Sequence, residues 1–185
     1  IIDLYNNDER MEKINVFGGS HAMSFANFND NFFSTNVFFH YSDRFAFSGL
    51  FNNFSSKVKF GLKNLTNKTI IIFDYEFFSE YKASDFLNNF FSIFSNTIDK
   101  DKIYFFTTPL PSLYSHRYLD FDYVNNSINN FNIELEKKVT EFGFKFIDIN
   151  LFLNMNSNYM SSKDLLCHYF IKPDIIHKII VEKVI

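Results

Sequence analysis

The sequence predicts an α/β fold, a three-layer α/β/α sandwich around a central, mostly parallel sheet of about five strands. Three observations carry this reading. Short runs that are apolar on both faces alternate with longer segments whose apolar residues recur at helical spacing. The 185 residues contain only 5 Gly and 3 Pro, with no linker-like stretch and no internal repeat, so residues 1–185 read as one domain. A domain of that length buries roughly 70% of the surface its unfolded chain exposes, enough for a sheet covered on both sides.

The strand-like runs are residues 14–17 (INVF), 69–73 (TIIIF), 103–107 (IYFFT) and 144–147 (FKFI). Each is short and rich in β-branched or aromatic residues, as strands buried on both faces are. Helical spacing appears over 83–98 (ASDFLNNFFSIFSNTI) and 123–142 (YVNNSINNFNIELEKKVTEF). The tail, 173–185, opens with Pro173 at a first helical position, then Asp174, and repeats Ile175, Ile176, Ile179, Ile180 and Val184 on one face. Strands alternating with helices imply crossover connections and parallel pairing. In such sheets the reacting groups gather at the carboxyl ends of the strands.

Composition narrows the function classes. The net charge is −3 and no dense Lys/Arg run occurs, so the basic face needed for a nucleic-acid backbone is missing. No apolar stretch approaches the roughly 18 residues of a membrane span. The first ten residues carry acids and amides in place of a basic segment and an apolar run, so no secretory signal is read and a cytoplasmic location is expected. The chain opens on Ile, which leaves room for an upstream domain. The single Cys167 cannot close an intrachain disulfide and reads as a small buried apolar residue. The 28 Phe and the absence of Trp read as the codon bias of an AT-rich genome and carry no functional weight singly.

The stretch INVFGGSHAMSF is the most informative. A buried strand runs into Gly18-Gly19 and then Ser20, so the serine stands where the chain turns out of the sheet. Glycines there allow unusual dihedrals and let a substrate carbonyl approach the backbone. A helix starting just after would aim its first amides at Ser20, where they stabilise developing negative charge. Gly-Gly-Ser also makes ordinary turns and anion-binding loops, so this segment alone decides nothing.

Order along the chain adds to it, and here the sequence resembles the SGNH (GDSL-like) hydrolases. VFGGSHA resembles the GDS or GDSHA nucleophile segment that follows their first strand, FAFSGLF their second segment, and TIIIFDYEFF stands in place of the third. KIYFFTTPLPS resembles the next strand with its proline-rich exit, and EFGFKFIDIN the strand after a long helix. The likeness spans residues 14–185 and implies the flavodoxin-like sandwich named above. It makes Ser20 the nucleophile and assigns oxyanion or substrate contacts to Gly19, Gly49, Tyr75 and His21. Two positions depart from the pattern: Gly19 stands where the family has Asp, and the third segment offers Asp74, Tyr75 and Glu76 in place of the oxyanion-donating Asn.

A serine hydroxyl needs a base to become a nucleophile at neutral pH, and the resemblance puts that base ahead of the last helix. Two pairs compete. Asp164 and His168 are spaced one residue wider than the family's Asp-x-x-His, but His168 is followed by YFIK, read as a short loop, and then by a helix of ordinary length. Asp174 and His177 have the literal spacing but fall within the predicted last helix. His40 and His116 read as loop or surface residues, and no pair of histidines or carboxylates has metal-ligand spacing, so no metal and no tightly bound cofactor is expected. The resemblance implies acyl transfer on O-acyl groups of a carbohydrate. Polysaccharide O-acetyl transfer from acetyl-CoA is favoured over acetylester hydrolysis. A catalytically degenerate module that binds carbohydrate or a partner is the alternative from another class, and a plain flavodoxin-like ligand-binding domain is the third.

Overall fold

The computed structural model describes residues 14–18, 62–63, 65, 67–73, 83–94, 96–110, 121–154, 160–163, 169–171 and 173–184. Four strands form one parallel sheet in the spatial order of the chain: β1 (Asn15–Gly18), β2 (Thr69–Ile72), β3 (Ile103–Phe106) and β4 (Lys145–Ile147). Their runs match the expected strands to within a residue or two at each end. The fold class is the predicted one, with four of the expected five or so strands lying among the described residues.

Alternation along each strand sorts the core into two clusters, one per face. Phe17, Ile71, Phe73, Ile103 and Phe105 point to one face and pack against α1 (Ala83–Phe91) and α2 (Phe121–Phe142). Val16, Ile70, Ile72, Tyr104 and Phe106 point to the other, against α3 (Ile149–Asn154) and α4 (Pro173–Lys183). Two helix layers therefore enclose the sheet. α1 links β2 to β3 and α2 links β3 to β4, and right-handed crossovers advancing one way across a sheet must fall on the same face. The α4 stripe is as expected: Ile175, Ile176, Ile179, Ile180 and Val184 are all buried.

Phenylalanine fills the first face. Phe73 meets Phe90 edge-on at 4.9 Å between centroids and Phe131 at 5.7 Å, while Phe91 stacks on Phe105 at 5.0 Å. These are the offset and T-shaped geometries that the ring quadrupole favours.

The helix ends explain themselves locally. α2 stops at Gly143, whose φ of +78° is the left-handed region that favours glycine. The Gly143 amide donates to the Thr140 carbonyl and the Phe144 amide to the Val139 carbonyl, the 5→2 and 6→1 pair of a Schellman cap. Lys100 adds its ammonium to the Phe142 carbonyl. α1 ends at Phe91, seven residues short of its predicted limit. The Ser92 hydroxyl donates to the Asn89 carbonyl, Ile93 and Phe94 close tighter i to i−3 bonds, and the polar run Ser95-Asn96-Thr97 follows. Three elements were not anticipated. α3 is short, and β5 (Met160–Lys163) pairs antiparallel with β6 (Tyr169–Ile171) in a separate ribbon. The stretch after His168, read as a loop, is therefore strand over Tyr169–Ile171.

Candidate functional site

The carboxyl edge of the sheet is defined by one row of paired residues, Gly18 beside Ile72, Ile72 beside Phe106, and Phe106 beside Ile147. Everything that leaves the sheet on this side starts from that row. β1 leads directly into Gly19, Ser20 and His21, and its neighbour β2 leads through Phe73 into Asp74 and Tyr75. In the sequence Ser20 thus follows the end of β1 by two positions and Tyr75 the end of the adjacent β2 by three. Both residues, with Gly19, His21, Gly49, Asp164 and His168, lie outside the described residues, as do His40, His116 and Cys167.

The other end of the chain returns to the same edge. α4 lies along the sheet face, and the Val184 carbonyl just beyond its last turn accepts from Lys68 Nζ at 3.0 Å and from the Tyr104 hydroxyl at 3.5 Å. Lys68 immediately precedes β2, so this end of α4 stands at the amino edge of the sheet. Eleven helical residues rise about 16 Å and four strand residues about 13 Å, so α4 spans the sheet and begins toward the carboxyl edge. That beginning carries the backbone of Asp174 and His177, three residues apart on one helix, where i and i+3 positions are neighbours. β6, which follows His168 directly, precedes α4 by a single residue.

The described part of this edge is a buried polar brace that the sequence reading missed. Thr108, fully buried, sits two residues past β3. Its amide donates to Asn132 Oδ1 at 2.8 Å, its carbonyl accepts from Asn132 Nδ2 at 2.9 Å and Asn150 Nδ2 at 3.0 Å, and its hydroxyl donates to the Phe73 carbonyl at 2.9 Å. Asn150 Oδ1 in turn accepts from the Leu110 amide at 3.0 Å. Two side-chain amides therefore do for the 107–110 segment what a neighbouring strand would do. Beside it, the Thr107 hydroxyl donates to Asp148 Oδ1 at 3.2 Å and accepts from the Ile149 amide at 3.0 Å, while Asp148 Oδ1 accepts from the Asn150 amide at 3.0 Å. Asp148 is the N-cap of α3. The signal in the sequence was Asn132, an amide on the otherwise apolar stripe Ile128, Phe131, Leu135, Val139. A polar side chain on a buried stripe requires a partner, and the strand exit Thr107-Thr108-Pro109 supplies it.

A cleft of about 220 Å³ opens beside this brace. Its floor is Thr107, Asn132 and Asn150, and its walls include Asn129, Ile133, Glu136, Phe146, Asp148 and Leu151. Among the described residues no group of three His, Cys, Asp or Glu is arranged to hold a metal ion, and no helix is long and apolar enough to cross a membrane.

No family model matches this chain, and no curated protein does. Among solved structures, the crystal structure of a candidate acylhydrolase from Bacteroides fragilis is similar over 96% of this chain and 88% of its own length, with a TM-score of 0.50 and 13% sequence identity. The likeness is one of fold.

Proposed function

We propose that this protein is a serine-dependent acyl-transfer enzyme acting on O-acyl groups, with Ser20 as the nucleophile. The observation that carries the reading is topological. β1 ends on Gly18 at the carboxyl edge of the sheet, Gly19 and Ser20 follow it in the sequence, and α4, the last helix, begins toward that same edge. The acylhydrolase-like fold of the Bacteroides fragilis protein supports the same class of chemistry.

In this mechanism Ser20 Oγ attacks the acyl carbonyl while an imidazole takes its proton, and the amides of Ser20 and Gly49 hold the oxyanion. Collapse expels the alcohol or thiol, which takes the proton from the imidazolium and leaves an acyl-serine. A second nucleophile, deprotonated by the same imidazole, then releases the acyl group. His168 with Asp164 is the favoured pair, and His177 with Asp174 the alternative. Gly19, Tyr75 and His21 line the approach to the serine. The substrate proposed is a carbohydrate O-acetyl group in a cytoplasmic setting, and transfer from acetyl-CoA to a polysaccharide hydroxyl is favoured over hydrolysis.

Incubation with radiolabelled acetyl-CoA and a glycan acceptor, and separately with an acetylated glycan in water, tests this. Label on the glycan identifies a transferase, and free acetate alone identifies an esterase. Neither product, with intact folded protein, rejects the reading. The second reading, a binding module that retains the fold without chemistry, is favoured by Asp74 and Glu76 following β2, since carboxylates near an oxyanion oppose it. It predicts glycan binding with no turnover.

A further inference from the structure

The cleft beside the Thr108 brace has no part in the acyl chemistry above, yet its lining is chemically specific. Two aliphatic side chains, Ile133 at 61% exposure and Leu151 at 63%, stand on its walls, and they are the most exposed large hydrophobic residues among those described. They come from different helices, α2 and α3, and line the cleft together with the half-buried Phe146. Apolar groups held in water around a concave site mark a binding surface.

The polar groups between them are acceptors. Asp148 uses Oδ1 for Thr107 and the Asn150 amide, while no hydrogen bond or ion pair to Oδ2 is found among the described residues. Glu136 is exposed on the next wall and Asn129 adds an amide one helical turn before Asn132. Among the described residues no Lys or Arg lines the cleft, and the carboxylates of Glu136 and Asp148 disfavour a negatively charged group there. A ligand that satisfies both sets must donate several hydrogen bonds, carry apolar C–H faces and bear no negative charge. A sugar ring does all three.

We infer that this cleft binds one hexose unit of the glycan, with hydroxyls donating to Asp148 Oδ2, Glu136 and Asn129 and ring C–H faces resting on Ile133, Phe146 and Leu151. The inference builds on the proposed acyl-transfer reading. It assigns the sugar to the β3–β4 end of the carboxyl edge and the acyl group to the β1–β2 end. The floor is rigid because Asn132 and Asn150 are tied to the backbone on both sides.

Saturation-transfer NMR and calorimetry with unmodified cellotetraose, maltotetraose and chitotetraose test binding without any turnover. At least one oligomer is expected to bind the parent protein. Asp148→Asn keeps the α3 cap acceptor, and Glu136→Gln and Ile133→Ser alter exposed side chains. Each is expected to weaken binding about tenfold, as loss of one charged hydrogen-bond acceptor or apolar contact does, with the thermal midpoint unchanged in Glu136→Gln and Ile133→Ser and lowered only slightly in Asp148→Asn, which loses the charge at the start of α3. Affinity is expected to hold between 50 mM and 500 mM salt, whereas a cationic ligand would weaken. The matching kinetic test compares p-nitrophenyl acetate with a mono-acetylated form of the oligomer that binds. The variants raise KM for the sugar ester alone and leave the p-nitrophenyl ester untouched. Binding of no oligomer, or binding that all three variants leave intact, overturns the hexose site whatever Ser20 does. Absence of turnover with variant-sensitive binding would instead reject the acyl-transfer reading and leave the hexose site standing.

Discussion

Asn132 holds the exit of β3 through both ends of one amide, which makes it the residue on which the described part of the carboxyl edge most depends. Asn132→Ala would leave the Thr108 amide, in a fully buried residue, without its acceptor, while the Thr108 carbonyl keeps its bond from Asn150. An orphaned buried donor costs about 1–3 kcal/mol, and chemical denaturation should show a loss of that size. Asn132→Asp keeps the acceptor but sets a buried carboxylate oxygen against the Thr108 carbonyl that Nδ2 now bonds, and a loss at least as large is expected. At this scale the sequence was informative in part. Gly18-Gly19-Ser20 could be read because glycine, hydroxyl and a preceding apolar strand form a local pattern. The brace is legible only by half: Asn132 on its apolar stripe calls for a buried partner, but Thr108 and Asn150 lie 24 and 18 residues away in sequence and nothing local identifies them as that partner.

Element boundaries were legible where a local rule fixes them. Gly143 ends α2 where its positive φ requires, and Pro173 starts α4 where its missing N–H does no harm. Gly143→Ala would place a methyl group 3.7 Å from Lys100 Cδ, an ordinary contact, so the cost is the backbone conformation alone. A destabilisation of about 1–2 kcal/mol is expected, and Gly143→Asn should lose less, since Asn tolerates the left-handed region. α1 was read too long because its apolar spacing continues through Ile93, Phe94 and Ile98, which are packed in the core from turns instead of a helix. Periodicity reports burial, and here burial outlasted the helix. β6 was read as a loop because three residues, Tyr169–Ile171, are too few for a strand pattern to show.

For the molecule as a whole, the alternation of runs predicted the layers because β1, β2 and β3 bury both faces, β4 closes the edge of the sheet half-buried, and the helices pack one face against it. The phenylalanine-rich cluster is the larger half of that core. Phe73→Ala removes a ring in contact with Phe86, Phe90, Phe105 and Phe131 and should cost about 3–5 kcal/mol, read from the unfolding midpoint. Retained activity in the surviving folded fraction would show that this core is remote from the reacting atoms.

The sheet also sets the geometry on which the functional account rests, with the first strand and the last helix converging on one edge. A fluorophosphonate probe with mass-spectrometric mapping tests that convergence most directly. The account predicts one adduct, on Ser20, absent in Ser20→Ala and formed at least about 10³-fold more slowly in one of His168→Ala and His177→Ala. A folded parent protein that takes no label, or a Ser20→Ala variant that labels as fast as the parent, would contradict it.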